Sequence, residues 1–224
     1  MLTARAGALL LCAAAATLIG GCGSMRVSPD APPGLSLAGS WKVDPAASDD
    51  LQKTLAQMRA EALKIITRNA PYAPARGGGP ETAPAGDAAA ARGPRRDPLQ
   101  HSPMAHVIQT LIERGDFLTV RQHPEEIVFD YGTSRRSFTP GARSVVSAEG
   151  GVGDQSSGWS GRGYVISIRA QNGPAVTETY SLSADGRRLV QKLHVGSYEL
   201  PAVEVTRTYV PTSEAAPRQL PTSD

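Results

Sequence analysis

Apolar and polar positions alternate with a period of two along the C-terminal half of the chain, the pattern of β-strands that bury one face. Residues that favour turns separate these runs at short intervals. An earlier short run, Gly39 to Asp44, has the same character and ends at Pro45. The runs that follow it are Phe117–Gln122, Ile127–Tyr131, Arg135–Phe138, Arg143–Ala148, Gln155–Trp159, Tyr164–Arg169, Ala175–Leu182, Arg187–Val195 and Ala202–Val210. The pattern therefore predicts a mainly β protein.

The turns between these runs favour antiparallel pairing of neighbouring strands. His123–Glu126 suits a type I turn, Asn172-Gly173 suits a type I′ hairpin, and Ala184–Gly186 is another hairpin signal. The helices that a parallel sheet requires between its strands are missing from this pattern. We expect an antiparallel up-and-down meander that forms either a closed barrel or a half-barrel covered by helix, because both arrangements protect the strand edges.

Two amphipathic helices are predicted between the first strand and the second. Apolar residues recur at helical spacing from Leu51 to Ile66, and Asp49 and Gln52 before them have the form of a capping box. Ser102-Pro103 opens the second, shorter helix, which Gly115 ends. The outer face of the first helix is basic. We favour packing on the sheet, since an isolated helix of this length is marginal in water; the alternative is a helix lying on a membrane surface.

Segments with little apolar bulk divide the chain. Residues 22–38 predict a flexible tether, residues 70–100 a disordered insert rich in Ala, Pro, Gly and Arg, and residues 212–224 a disordered tail. Residues 39–69 and 101–211 then form one folded domain. The insert carries a small basic cluster of Arg92, Arg95 and Arg96. A solvated loop is the favoured interpretation of this cluster, and contact with anionic lipid or cell-wall polymer is the alternative.

Residues 1–21 have the pattern of a signal peptide. Arg5 is followed by an apolar run that is too short to span a bilayer comfortably. The end of the run, Ile19-Gly20-Gly21-Cys22, resembles the bacterial lipobox. This resemblance implies cleavage between Gly21 and Cys22, with fatty acids such as palmitate attached at Cys22. The alternative is an ordinary signal peptide cut nearby, which would leave a free thiol in an oxidising compartment.

The lipobox resemblance also implies an address. Gly23 rather than Asp follows the cysteine, which in lipoprotein sorting favours the outer membrane, so we expect a lipid-anchored protein on its periplasmic face.

Cys12 lies in the signal peptide, so no cysteine remains for a disulfide or a thiolate metal site. Without residues 1–21 the chain has 22 basic and 21 acidic side chains, because only Arg5 is lost. A net charge of +1 gives no electrostatic attraction for nucleic acid.

The first and last strands resemble those of lipocalins. Gly39-Ser40-Trp41 is similar to the lipocalin G-x-W signature, and Arg207 lies on the apolar face of the last strand. In that family a late Arg packs over the Trp and closes the barrel end. The resemblance implies that Trp41 and Arg207 form a barrel-closing structural pair. The chain departs from the family in lacking the T-D-Y motif.

Candidate catalytic and metal-binding residues are scattered. His101 and His106 are five residues apart, off the i, i+4 spacing that lets two imidazoles share a metal. A G-x-S-x-G nucleophile motif is missing, and no predicted helix follows the glycines of 150–153 to present amides to a phosphate. We therefore predict no catalytic residue, no metal site and no cofactor, and a protein that is not an enzyme.

Two functions remain open at this point. The first is an envelope lipoprotein whose lipocalin-like domain binds a small apolar ligand or lipid, because meanders of this size often enclose one ligand cavity. The second is a non-enzymatic structural or assembly protein that binds an envelope protein or the cell wall through its outer surface. The first is the favoured hypothesis.

Overall fold

A computed structural model describes residues 26–69 and 97–214. Ten strands form one antiparallel sheet, and two helices lie between the first two strands. The strands are β1 Gly39–Val43, β2 Phe117–Gln122, β3 Ile127–Asp130, β4 Arg135–Phe138, β5 Arg143–Ala148, β6 Gly151–Ser160, β7 Gly163–Ala170, β8 Ala175–Leu182, β9 Leu189–Gly196 and β10 Val203–Pro211. The helices are α1 Leu51–Asn69 and α2 Pro103–Glu113. The predicted mainly β meander with helices after its first strand is confirmed.

The strand order makes the sheet a curled half-barrel. It runs β4-β3-β2-β1-β10-β9-β8-β7-β6-β5, so the first and last strands pair with each other. Trp41 lies opposite Pro211 in that pairing, and Val43 lies opposite Tyr209. Only one consecutive pair of strands, β4 and β5, is not hydrogen-bonded, and these two form the edges of the sheet. The half-barrel of the two predicted alternatives is therefore the one observed.

The two ends of the half-barrel differ. We call the end with the β2–β3, β6–β7 and β8–β9 turns the lower end. The opposite end, where α1 and α2 connect β1 to β2, is the helical end. Alternate residues of the long strands point inward and are buried, for example Leu189, Gln191, Leu193 and Val195 of β9. This alternation follows from the pleat and gives the sheet one inner face.

The helices pack on the inner face at the helical end. Met58 and Ala62 of α1 and Met104, Ile108 and Leu111 of α2 join one apolar cluster with residues of β8, β9 and β10. The apolar face of α1 is thus used within the domain, as the favoured alternative predicted.

The two helices are capped by Asp50 and Ser102. The predicted Asp49–Gln52 capping box is wrong, because the Asp50 carboxylate accepts the amides of Gln52 and Lys53 at 2.9 and 3.1 Å. Asp49 instead accepts the amide of Thr206 at 2.7 Å, which ties the start of α1 to β10. Ser102 caps α2, as predicted.

Residues 26–38 pack across the lower end, so the predicted flexible tether of 22–38 is wrong for these residues. Ser28 and Trp159 exchange two backbone hydrogen bonds at 2.7 and 2.8 Å. Leu35 and Leu37 are buried in the core. Two leucines are enough to hold this Pro- and Ser-rich stretch against the domain, because they cover an apolar end of the sheet.

The remaining predicted segments lie mostly outside the described residues. Of the insert predicted at 70–100, residues 97–100 are described and form a turn in which Leu99 is buried. Of the tail predicted at 212–224, residues 212–214 are described, and Glu214 pairs with Lys42 at 2.8 Å. In the described parts of the chain, neither helix has the length and hydrophobicity needed to cross a membrane.

Candidate functional site

The residues predicted for lipid attachment and cleavage, Cys22 and Gly21, lie outside the described residues. The first described residue is Arg26, four positions after Cys22. The lipid anchor on Cys22 therefore stays a prediction from the sequence.

Trp41 and Arg207 are both buried, but the structure gives them different partners. The Trp41 indole donates to the carbonyl of Leu37 at 3.1 Å. Arg207 lies four positions along β10 from Pro211, which is the residue opposite Trp41. At about 3.3 Å per residue that offset is about 13 Å, too far for stacking. The predicted barrel-closing pair is therefore not formed.

Arg207 instead holds the C-terminal end of α2. Its guanidinium donates to the carbonyls of Leu111 at 3.3 Å and Gly115 at 2.6 Å, and lies 3.3 Å from Asp116. Cations are favourable at this position because the last carbonyls of a helix are unpaired and partly negative. The Arg207 charge on the apolar face of β10 is therefore paired with the carbonyls at the end of α2.

A buried carboxylate forms the centre of the inner face. Glu178 of β8 accepts bonds from Arg114, just after α2, at 2.9 and 3.4 Å and from Arg136 of β4 at 2.6 Å. Only 4% of the Glu178 side chain is exposed, against 12% for Arg114 and 20% for Arg136. Two positive charges therefore surround one negative charge, and they join β8, β4 and the end of α2.

Hydroxyl and amide groups extend this cluster across the sheet. Tyr180 donates to Glu178 at 2.7 Å and lies 2.7 Å from the hydroxyl of Tyr131. The Gln191 amide nitrogen donates to Glu178 at 3.2 Å and to Tyr180 at 2.9 Å, and its oxygen accepts from Tyr209 at 2.9 Å. We call these seven residues the Glu178 network: Arg114, Tyr131, Arg136, Glu178, Tyr180, Gln191 and Tyr209. Such connected polar groups are stable in a low-dielectric interior because each has a partner.

The network keeps Glu178 ionised. Burial alone would raise its pKa, but the charges of Arg114 and Arg136 and the bond from Tyr180 outweigh burial and hold the pKa well below the ordinary value. Burial raises the pKa of Tyr180 well above its ordinary value, and the Glu178 charge acts in the same direction. Tyr180 is thus a neutral donor to an ionised carboxylate at neutral pH.

Sequence reasoning missed the Glu178 network, although the alternation carries a signal for it. In the alternation of its strand, Glu178 stands between the apolar positions Val176 and Tyr180, and Gln191 stands between Leu189 and Leu193 in the same way. Two polar residues at inward positions of paired strands indicate a buried polar pair. The arginines that complete the pair come from distant positions and carry no such signal.

An apolar groove opens beside the helices. It has a volume of about 260 Å³ and lies between α1, the 97–101 turn and the β9–β10 loop. Its lining includes Ala62, Leu99 and Leu200, which also belong to the apolar cluster between helices and sheet. Ile66 at its mouth is 55% exposed. The groove is therefore a place where the apolar layer under the helices reaches the surface.

Two other pockets are more polar. One of about 410 Å³ lies beside the start of α1 and includes Asp49, Asp50, Asp116 and Arg207. Another of about 290 Å³ lies at the lower end, against Pro29 and Trp159. No group of three or more His, Cys, Asp or Glu side chains that could hold a metal occurs within residues 26–69 and 97–214.

Comparisons with known proteins find similarity in structure alone. No protein-family model and no curated protein matches the sequence. Among solved structures, the apo lipid binding protein 8 of Caenorhabditis elegans is 13% identical with a TM-score of 0.45, and the match covers 80% of this chain and 99% of that one. A REP1-NXSQ fatty acid transporter is 11% identical with a TM-score of 0.43, covering 80% and 98%. A brain fatty acid-binding protein of Drosophila melanogaster is 13% identical with a TM-score of 0.42, covering 78% and 99%.

Proposed function

We propose that this chain is an envelope lipoprotein, acylated at Cys22 after cleavage behind Gly21, whose lipocalin-like domain binds a small apolar ligand or lipid. The anchor places it on the periplasmic face of the outer membrane. The lipobox-like residues 19–22 support the anchor. The apolar groove beside α1 supports the ligand site, and it is the observation that carries the binding proposal.

The chemistry of the groove defines the class of ligand. Its floor is aliphatic, formed by residues such as Ala62, Leu99 and Leu200. The polar residues of its lining are His101, Ser102 and Glu199, and the Ser102 hydroxyl lies 3.4 Å from the Glu199 carboxylate. A pocket with an apolar floor and few polar groups binds ligands mainly through apolar burial. A volume of about 260 Å³ suits one acyl chain or a small ring system whose polar end lies near Ser102 and Glu199.

A matched pair of variants tests the groove. Ile66→Lys places a charge at its mouth, whereas Leu63→Lys places the same charge on a comparably exposed apolar position of α1 that does not line the groove. We expect Ile66→Lys to weaken binding of a hydrophobic fluorescent probe by about tenfold, which corresponds to about 1.4 kcal/mol. Leu63→Lys is expected to bind normally. Equal probe affinities for wild type and both variants would exclude the groove as the site.

The anchor has its own test. Cys22→Ala is expected to abolish labelling by radioactive palmitate and to release the protein from the membrane fraction. Retention of the variant in the membrane would contradict the proposed lipid attachment.

The Glu178 network favours a second candidate function. Its side chains occupy the centre of the inner face, the position where a barrel ligand would lie. A filled interior suits a non-enzymatic structural or assembly protein that binds an envelope protein or the cell wall through its outer surface. Crosslinking in intact cells tests this candidate, and a protein that yields no crosslinked envelope partner would count against it.

A further inference from the structure

The N-terminal segment is fixed to the lower end of the half-barrel by close backbone contacts. Ser28 lies beside the end of β6 and forms an antiparallel bridge with Trp159 through two backbone hydrogen bonds. A Cβ on Gly158 would lie 2.7 Å from the Ser28 carbonyl oxygen, and one on Gly141 would lie 3.0 Å from Pro29. Glycine at both positions therefore gives the segment room that a side chain would occupy.

A second set of contacts fixes the same segment to the opposite wall. The side-chain oxygen of Gln122 in β2 accepts the Leu37 amide at 2.8 Å, and its nitrogen donates to the Leu35 carbonyl at 3.2 Å. Leu37 is fully buried and Leu35 is 6% exposed. The segment is thus held at β6 and at β2, and it belongs to the rigid domain from Ser28 onward.

The distance from the anchor to this attachment point is short. Ser28 is six positions after Cys22, and at 3.3–3.6 Å per position this connection spans at most about 22 Å. Strand β9, with eight residues, places the helical end about 25 Å from the lower end. A domain turned over with its helices on the membrane would require a longer connection than this sequence provides.

We infer that the lower end of the half-barrel faces the lipid headgroups of the anchoring membrane, and that the helical end with its apolar groove faces away. This inference rests on the proposed acylation of Cys22. Charge does not set the orientation, because the lower turns carry Arg162, Arg187 and Arg188 against Glu125, Glu126 and Asp185. The apolar ligand then enters and leaves on the aqueous side, away from the membrane that holds the protein.

Energy transfer to labelled lipid tests the orientation. A fluorescent amino acid is encoded in place of Glu125 in the β2–β3 turn, or in place of Tyr198, which is fully exposed in the β9–β10 loop. Each protein is inserted through its acylated Cys22 into vesicles of phosphatidylethanolamine and phosphatidylglycerol that contain acceptor-labelled lipid. We expect transfer from position 125 to exceed that from position 198 by at least about twofold, because the two differ in height by about 25 Å. Equal transfer, or higher transfer from position 198, would overturn the inference.

A longer connection serves as the matched control. A Gly-Ser insert of fifteen residues between Met25 and Arg26 is expected to remove the difference between the two positions. A difference that survives the insert would show that something other than the short connection orients the domain.

The proposed acylation of Cys22 and the proposed orientation of the domain can be tested separately. A mass spectrum with unacylated Cys22 would contradict the proposed function. The two labelled proteins, each with and without the insert, are then coupled at Cys22 to a maleimide lipid. Energy transfer in these four proteins still measures the orientation that the short connection imposes.

Discussion

Glu178→Gln removes the negative charge that two largely buried arginines share. Gln has the size of Glu and can still accept a bond from Tyr180, so the variant changes charge more than packing. It leaves Arg114 and Arg136, with 12% and 20% of their side chains exposed, without their counter-charge. Breaking a buried ion pair by removing one partner costs about 3–5 kcal/mol. We expect the free energy of unfolding to fall by that amount at pH 7.

The pH dependence gives this prediction a second readout. The folded-state pKa of Glu178 is held below its ordinary value of 4.5, so its contribution is fully present above about pH 4.5. The contribution is lost as the pH falls from there towards the folded-state pKa. The difference in free energy of unfolding between wild type and Glu178→Gln should therefore be largest at neutral pH and shrink under acid conditions.

Urea denaturation followed by circular dichroism measures both effects. Glu204→Gln is the control, because Glu204 lies on β10 of the same sheet with 85% of its side chain exposed. We expect the control to change the free energy of unfolding by less than about 0.5 kcal/mol. A cost below about 1 kcal/mol for Glu178→Gln at pH 7, or a cost that does not change with pH, would refute the buried ion-pair account.

Three further predictions concern the inner face and the N-terminal segment. Leu37→Ala should lower the free energy of unfolding by about 2–5 kcal/mol in urea denaturation if residues 26–38 belong to the fold, whereas an effect near zero would show that they do not. Gly158→Ala should lower the free energy of unfolding by about 1–3 kcal/mol in the same assay, because the new Cβ would overlap the Ser28 carbonyl oxygen. Gly196→Ala, whose Cβ makes only an ordinary contact at 3.5 Å, should cost about 0.5–1 kcal/mol less than Gly158→Ala. Tyr164→Phe should change the free energy of unfolding by less than about 1 kcal/mol, since within the described residues the buried Tyr164 hydroxyl has at most a weak contact with Ser157. Tyr180→Phe should cost about 1–3 kcal/mol, and equal losses for the two variants would contradict the network.

The strands were predictable from the sequence because their alternation is regular. The predicted run at 175–182 matches β8 at both ends, and the predicted Gln155–Trp159 lies inside the longer β6. Each inward apolar residue contributes to the same buried face, so the local pattern and the sheet agree.

Long-range partners were not predictable. The lower end is covered by Leu35 and Leu37, two leucines in a stretch whose composition indicates a tether. The sequence places Arg207 on the apolar face of the last strand, but only the docking of α2 provides the carbonyls that it binds. Composition and spacing describe a segment's own preferences, whereas these contacts depend on which surfaces the fold leaves uncovered.

Native mass spectrometry of the protein purified from cells under mild conditions tests most directly whether the domain holds a small apolar ligand, as proposed. After any covalent mass at Cys22 is accounted for, we predict an additional non-covalent mass that is lost on gentle activation and is absent from the Ile66→Lys variant. A spectrum that contains only the polypeptide with its covalent modifications would contradict ligand binding and favour the structural or assembly role.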